Sequence, residues 1–365
     1  MSSLRIVNTE SSLGWGGQEI RILYESQGLI RRGHDVRLLC AGGSRIRAEA
    51  VNWGVPAVSL PLEKKRLRAL RALRDWFRAN RFDVVNTHSS TDSWLAALAL
   101  QWLGRPAPMV RTRHISATVP HGPLSRWLYM AAAARVVTTG EAIRQQLVRD
   151  NGFDPARIKS VPTGMDPARF RPGERAAARS KLGLPAGGTL VGIVATLRSW
   201  KGHADLLEAL AKLPATVELV IVGDGPQRDA LRDRIAGLGL AARVRLQGDQ
   251  QDVLPWLRAL DIFALPSYAN EGVPQALLQA MLVGLPCVTT HVGGIPELAS
   301  HERTALLVPP RDPPALAAAI ARLAQDEALR RELGEAARKH CVEGYAYERM
   351  LDGMEDIYRD VAAAR

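Results

Sequence analysis

Apolar runs rich in β-branched residues alternate with helical patterns along most of this chain. In its first part five runs read as strands: Leu4 to Thr9, Asp35 to Cys40, Asp83 to His88, Met109 to His114 and Arg135 to Thr139. Helical periodicity separates them, as expected of stacked βαβ units on a parallel sheet. A second series repeats the architecture without repeating the sequence: Leu190 to Ala195, Val217 to Val222, Val244 to Gln247, Ile262 to Leu265, Pro286 to Thr290 and Thr304 to Val308. Between the two series, Phe170 to Gly188 is charged and punctuated by Pro172, Gly173, Pro185 and Gly187, which suits a linker. The pattern predicts two α/β domains, residues 1–170 and 171–345. Helices from Pro314 to Ala324 and Glu327 to His340 finish the second. A last helix, Tyr347 to Ala364 within a terminal segment 346–365, puts Met350, Leu351, Met354, Ile357, Tyr358 and Val361 on one stripe and needs an apolar surface to cover.

Composition narrows the class. A chain of 365 residues exceeds one ordinary core, and 47% hydrophobic with 23% charged residues fits a globular protein in water. No stretch approaches the roughly 18 consecutive apolar residues of a membrane span. The start, Met1-Ser2-Ser3 before Leu4, carries no signal-peptide core, so a cytoplasmic location is expected. Cys40, Cys287 and Cys341 lack metal spacing and are expected to be structural.

A net charge of +11 calls for an anionic partner. The cations Lys64, Lys65, Arg66, Arg68, Arg71, Arg74, Arg78 and Arg81 crowd into one predicted helix over 63–81, whose other face carries Leu67, Leu70, Leu73, Trp76 and Phe77. Such a helix suits anionic lipid headgroups and peripheral attachment at a membrane, or simply packs its apolar stripe on a sheet. No nucleic-acid partner is expected, and a nucleic-acid-binding protein stands as a competing reading on charge alone.

Candidate chemistry lies where strands end. Glu271-Gly272-Val273-Pro274 follows a strand and opens an apolar helix, which places Glu271 at a carboxyl-end crevice where ligands bind. Its carboxylate accepts hydroxyl hydrogen bonds well, and Gln279 falls two turns later near the same face. Arg198 and Lys201 precede a helix start, a position unfavourable for cations unless an anion sits there. Gly14-Trp15-Gly16-Gly17 follows the first strand and opens a helix, so its amides suit a phosphate. His88 and His114 end two strands of the first domain, and Arg111 and Arg113 beside them either serve an anionic acceptor or are paired internally. No Asp-x-Asp ends a strand, so neither a metal nor another cofactor is expected.

These motifs resemble the retaining glycosyltransferases of family 4, across nearly the whole chain. The resemblance implies a GT-B fold: two Rossmann-like, doubly wound domains facing each other across a cleft, with the last helix returning to the first domain. It implies a nucleotide-diphosphate sugar as donor, held by Gly16, Gly17, Arg198, Lys201, Gly223 of Gly223-Asp224-Gly225-Pro226, Gln247, Glu271, Gly272, Val273 and Gln279. His114, Lys201 and Glu271 are the implied catalytic residues, with Lys201 and Arg198 neutralising the departing diphosphate in place of a metal. A glycan or lipid-linked acceptor for bacterial envelope polysaccharide or lipopolysaccharide is expected. Two positions depart from the family pattern: Thr196 stands where an arginine is usual, and Gln279 where a glutamate is. A catalytically silent sugar-nucleotide-binding subunit is the competing expectation from those departures. An epimerase or a phosphorylase of the same fold competes on architecture.

Overall fold

In the computed structural model, which describes residues 2–364, the strand-forming runs pair in parallel into two separate sheets. The chain divides accordingly into two units, one taking residues up to Gly164 and again from Glu348, the other Met165–Tyr347. The pattern-based limits fell at 170 and 345. Met1 and Arg365, the ends of the expected domains, lie outside the described residues.

The first unit runs β1 (Arg5–Glu10), α1 (Gly17–Arg31), β2 (Asp35–Ala41), α2 (Arg45–Glu49), β3 (Ala57–Leu60), α3 (Leu67–Ala79), β4 (Val84–Thr87), α4 (Ser90–Trp102), β5 (Met109–Arg113), α5 (Pro123–Arg126), β6 (Ala133–Thr138), α6 (Glu141–Asn151) and β7 (Ile158–Ser160). A π-helical turn, Trp127–Ala132, links α5 to β6. The strands order β3-β2-β1-β4-β5-β6-β7. Chain direction across the sheet therefore reverses between β1 and β4, and the crevice at such a point is where open α/β sheets bind ligands.

The second unit contains α7 (Arg175–Leu182), β8 (Thr189–Val194), α8 (His203–Ala211), β9 (Val217–Val222), α9 (Arg228–Gly237), β10 (Val244–Gly248), α10 (Leu254–Ala259), β11 (Ile262–Leu265), α11 (Gln275–Leu282), β12 (Cys287–Thr290), α12 (Ile295–Leu298), β13 (Leu306–Val308), α13 (Pro313–Gln325) and α14 (Glu327–Gly344). Its order is β10-β9-β8-β11-β12-β13, with the reversal between β8 and β11. Every residue of β4, β11 and β12 is buried, as parallel strands covered by helices on both faces require.

The final helix, α15 (Tyr347–Ala363), belongs from Glu348 onward with the first unit. All six residues of its apolar stripe are buried there. The Tyr358 hydroxyl donates to Glu25 Oε1 and accepts from Asn86 Nδ2, both at 2.7 Å. Arg32 of the same unit pairs with Glu348, Asp352 and Glu355 along one face of the helix.

Three expectations need correction. The pattern missed β3 and β7, the two edge strands, whose three or four residues are too short and too exposed to show a period. The 170–188 segment is no free linker: it contains α7, whose buried Arg179 donates from Nη2 to Asp261 Oδ2 at 2.5 Å and from Nε to the Ala259 carbonyl at 2.9 Å. Finally, the basic helix starts only at Leu67, and Leu67 is 55% exposed; Ala69, Leu73 and Phe77 form its buried face. The three cysteines are buried and unbridged.

Candidate functional site

In the second unit, the crevice between β8 and β11 brings together two residues 70 positions apart. Lys201 Nζ lies 2.6 Å from Glu271 Oε1, and Ser267 Oγ donates to the same oxygen at 2.6 Å. Glu271 is buried and Lys201 half-buried. Two glycines hold this geometry. Gly202 has φ +75°, and a β-carbon on it would lie 2.1 Å from the Pro266 carbonyl oxygen, so the turn carrying Lys201 presses onto the end of β11. Gly293, at φ +58°, leaves room for the Glu271 carbonyl, which a β-carbon would approach to 2.2 Å. Gly294 packs in the same way against Gly272, beside Val273.

The other expected residues of this unit ring the same sheet edge. Gly223 follows β9 and packs against the Ala195 carbonyl after β8. Gln247 is half-buried in β10 and accepts from Gln250 Nε2 through its carbonyl. Arg198 is exposed, its guanidinium 5.7 Å from the Trp200 ring centre. Gln279, half-buried on α11, places Nε2 3.9 Å from Met165 Sδ. His114, Gly16 and Gly17 belong instead to the first unit.

In the first unit, His114 follows β5 and His88 follows β4. His114 Nε2 stands 2.9 Å from His88 Nδ1, and His88 Nε2 stands 3.1 Å from Asn8 Oδ1. Asn8 Nδ2 donates to Ser26 Oγ, so its Oδ1 is the acceptor and His88 must carry its proton on Nε2. His88 Nδ1 then accepts from His114 Nε2–H, which leaves His114 Nδ1 as a free-electron-pair acceptor. Burial, reinforced by the nearby Arg21 and Arg111 cations, pushes His88 down to about 3. Burial and the neighbouring His88 likewise hold His114 well below the usual imidazole range. Both rings are therefore neutral at pH 7 and suited to hydrogen bonding, not to carrying charge. Arg111 and Arg113 are paired internally: both reach the Tyr129 hydroxyl, and Arg111 also donates to Ser93 and the Ser89 carbonyl.

Sequence reasoning missed a carboxyl cluster at the β1/β4 reversal. Glu10 accepts from Ser12 N at 2.7 Å, Gln18 Nε2 at 2.5 Å and the Ser89 hydroxyl. Asp92 accepts from Thr9 Oγ1 at 2.7 Å, His88 N at 3.0 Å and Ser89 N at 2.9 Å. Glu10 thus ties the Gly16-Gly17 turn, where α1 begins, to the start of α4. The available signal was the spacing of Ser89 and Asp92, a capping-box pattern at a helix start. Burial, with the Asp92 and Glu19 charges adding to it, raises Glu10 to about 8. Burial also raises Asp92, to about 6.

A pH dependence follows. The buried imidazoles, lowered in the fold, gain a little stability as pH rises through their unfolded range, but they do so equally in the wild type and in a Glu10 variant, so they cancel when the two are compared. Glu10 keeps its proton in the fold to about pH 8, whereas unfolded it loses the proton near 4.5. Its raised value makes its contribution to stability decline as pH rises, and the decline ends above pH 8. Between pH 6.5 and 8 this amounts to about 2 kcal/mol. Melting temperatures measured across that interval should fall for the wild type relative to Glu10→Gln. Equal slopes would show that Glu10 is already ionised in the fold.

Comparison with known proteins adds to this geometry. Residues 15–169 match the family model described as Glycosyltransferase Family 4, and residues 188–326 that of Glycosyl transferases group 1. D-inositol 3-phosphate glycosyltransferase of Saccharomonospora viridis is 33% identical over 313 residues, which cover 78% of this chain and 71% of that protein. The enzyme of the same name from Acidothermus cellulolyticus is 32% identical, covering 78% and 68%. Among solved structures, Anabaena Alr3699/HepE in complex with UDP-glucose superimposes with a TM-score of 0.87 at 20% identity, covering 98% of this chain and 100% of that one.

Proposed function

The chain belongs to glycosyltransferase family 4, and on that premise we propose that this glycosyltransferase moves a sugar from a nucleotide-diphosphate sugar to a glycan or lipid-linked acceptor, with retention of anomeric configuration. The observation that carries the reading is the Lys201–Glu271 pair at the β8/β11 reversal. It sets a cation and a carboxylate side by side, matched to the two ends of such a donor: diphosphate for Lys201, sugar hydroxyls for Glu271.

In the proposed step the bond from the sugar's anomeric carbon to the leaving diphosphate breaks. A bond to the acceptor oxygen forms on the same face, and the acceptor's proton passes to the leaving phosphate. Lys201, Arg198 and helix-start amides take the developing negative charge, with no metal ion. His114, neutral and with Nδ1 free to accept, orients a sugar hydroxyl. The UDP-glucose held by the Anabaena protein supports the donor class. The relatives' printed names contain a sugar-alcohol phosphate, D-inositol 3-phosphate, and an anionic acceptor is in keeping with the net charge of +11. We place the product in bacterial envelope polysaccharide or lipopolysaccharide.

Thermal-shift screening across UDP, GDP, ADP and their sugars would identify the donor, since a bound ligand raises the melting temperature. With that donor, Glu271→Gln should lower transfer about 10- to 100-fold, the worth of one charged hydrogen bond, while nucleoside-diphosphate affinity persists. Wild-type turnover would remove Glu271 from the sugar site. A product of inverted anomeric configuration by NMR would refute retention.

A further inference from the structure

α3 and α4 lie side by side on the first unit and share a row of aromatic and cationic side chains. On α4, Trp94, Leu98 and Trp102 recur every four residues and so line one stripe. The Lys65 ammonium sits 5.6 Å over the Trp94 ring, and the Arg74 guanidinium 4.4 Å over Trp102. Trp94 stacks on Trp127 at 5.7 Å, which fixes the inner end of the row. Its outer part is open: Leu98 is 43%, Trp102 53% and, at the head of α3, Leu67 55% exposed. Around it stand Lys64, Arg66, Arg68, Arg71 and Arg78, all exposed, with only Glu63 and Asp75 as acids between residues 63 and 81.

Single exposed leucines are ordinary, but here the exposed apolar residues share one face with cations. We propose that this α3/α4 face, and not α3 alone, is a docking surface for an anionic lipid bilayer. Tryptophan seats at the headgroup level, leucine enters the acyl boundary, and arginine pairs with phosphate while its stem covers the indole. Charge complementarity selects anionic over neutral lipid. Leu98 and Leu67 select a bilayer over nucleic acid, because an aliphatic side chain has no base to stack on. No helix among the described residues is long and apolar enough to cross a membrane, so contact through this face is peripheral. The surface stands on its own geometry. Its consequence rests on the proposed function: the row shares α4 with Asp92, which accepts from the backbone of His88 and Ser89, so a lipid-linked acceptor docked there would be held on the unit that carries His114.

The test is co-sedimentation of the full chain with vesicles, without donor or acceptor, at about 0.1 M salt. Wild type should bind phosphatidylglycerol/phosphatidylcholine vesicles, release them at high salt and ignore phosphatidylcholine alone. Leu98→Ser with Trp102→Ala should lower partitioning at least about tenfold, and so should Arg71→Gln with Arg78→Gln. Both variants should melt as wild type does and keep its turnover on a water-soluble acceptor. That turnover assay is separate from sedimentation, so failure of the docking surface and failure of the proposed transfer give different results. No binding of wild type to anionic vesicles, unchanged binding by both variants, or capture by duplex nucleic acid that vesicles cannot displace would each overturn the proposal.

Discussion

Lys201→Ala should lower turnover about 10²- to 10³-fold, as removing one preorganised charge-stabilising group from an active site does. The loss should appear mainly in kcat, because the cation matters most when the diphosphate is departing. A second effect accompanies it: Glu271 is buried and, among the described residues, would keep only Ser267 as a donor to Oε1. Part of any affinity loss would then come from a displaced carboxylate, not from the missing ammonium. Combining Lys201→Ala with Glu271→Gln separates the two, since the pair in contact should give a non-additive cycle. Steady-state kinetics with donor varied, beside a melting curve for each variant, measures both quantities. Turnover equal to wild type in Lys201→Ala would end the diphosphate role.

Arg21→Met should produce the largest loss of stability, about 3–5 kcal/mol, the usual cost of removing one partner from a buried ion pair. Arg21 and Glu25 are both fully buried, one turn apart on α1, with Arg21 Nε 3.7 Å from Glu25 Oε2. That distance allows attraction but not a hydrogen bond, and Arg21 Nε and Nη2 and Glu25 Oε2 find no partner among the described residues. Burial lowers Arg21 and raises Glu25, so each charge is costly without the other. Arg21→Met leaves the carboxylate, among the described residues, with only the Tyr358 hydroxyl. Adding Glu25→Leu should restore most of the stability, because an apolar pair of similar volume is often neutral or better. Urea unfolding of the three variants tests this; a double variant as unstable as the single one would show that the pair is a net stabiliser.

What the sequence revealed follows the range of its signals. The α15 stripe was legible because six apolar residues recur at helical spacing, and all six are buried. Lys201 and Glu271 were legible one by one, through strand-end position and turn chemistry; their contact was not, because it spans 70 positions. The Glu10 cluster stayed hidden for the same reason. Its carboxyl meets Ser89 across 79 positions, and a glutamate ending a strand looks like any solvated polar residue until burial is known. Arg111 and Arg113 show the converse: as cations at a sheet edge they suit an acceptor equally well, and only the Tyr129 hydroxyl between them decides. Leu67 was misassigned because, at about 100° per residue, it falls on the stripe of Arg71, Arg74 and Arg78, about 120° from the buried Leu73.

The second unit is one unbroken stretch of chain; the first is not, and this fixes an order of assembly. On the ribosome, Glu25 and Asn86 emerge 333 and 272 residues ahead of the tyrosine that joins them. At bacterial or eukaryotic rates of synthesis that interval is on the order of tens of seconds. Throughout it, the groove that α15 will occupy stays open, lined with apolar side chains and a half-satisfied carboxylate. The half of the protein made first is therefore the last to be completed.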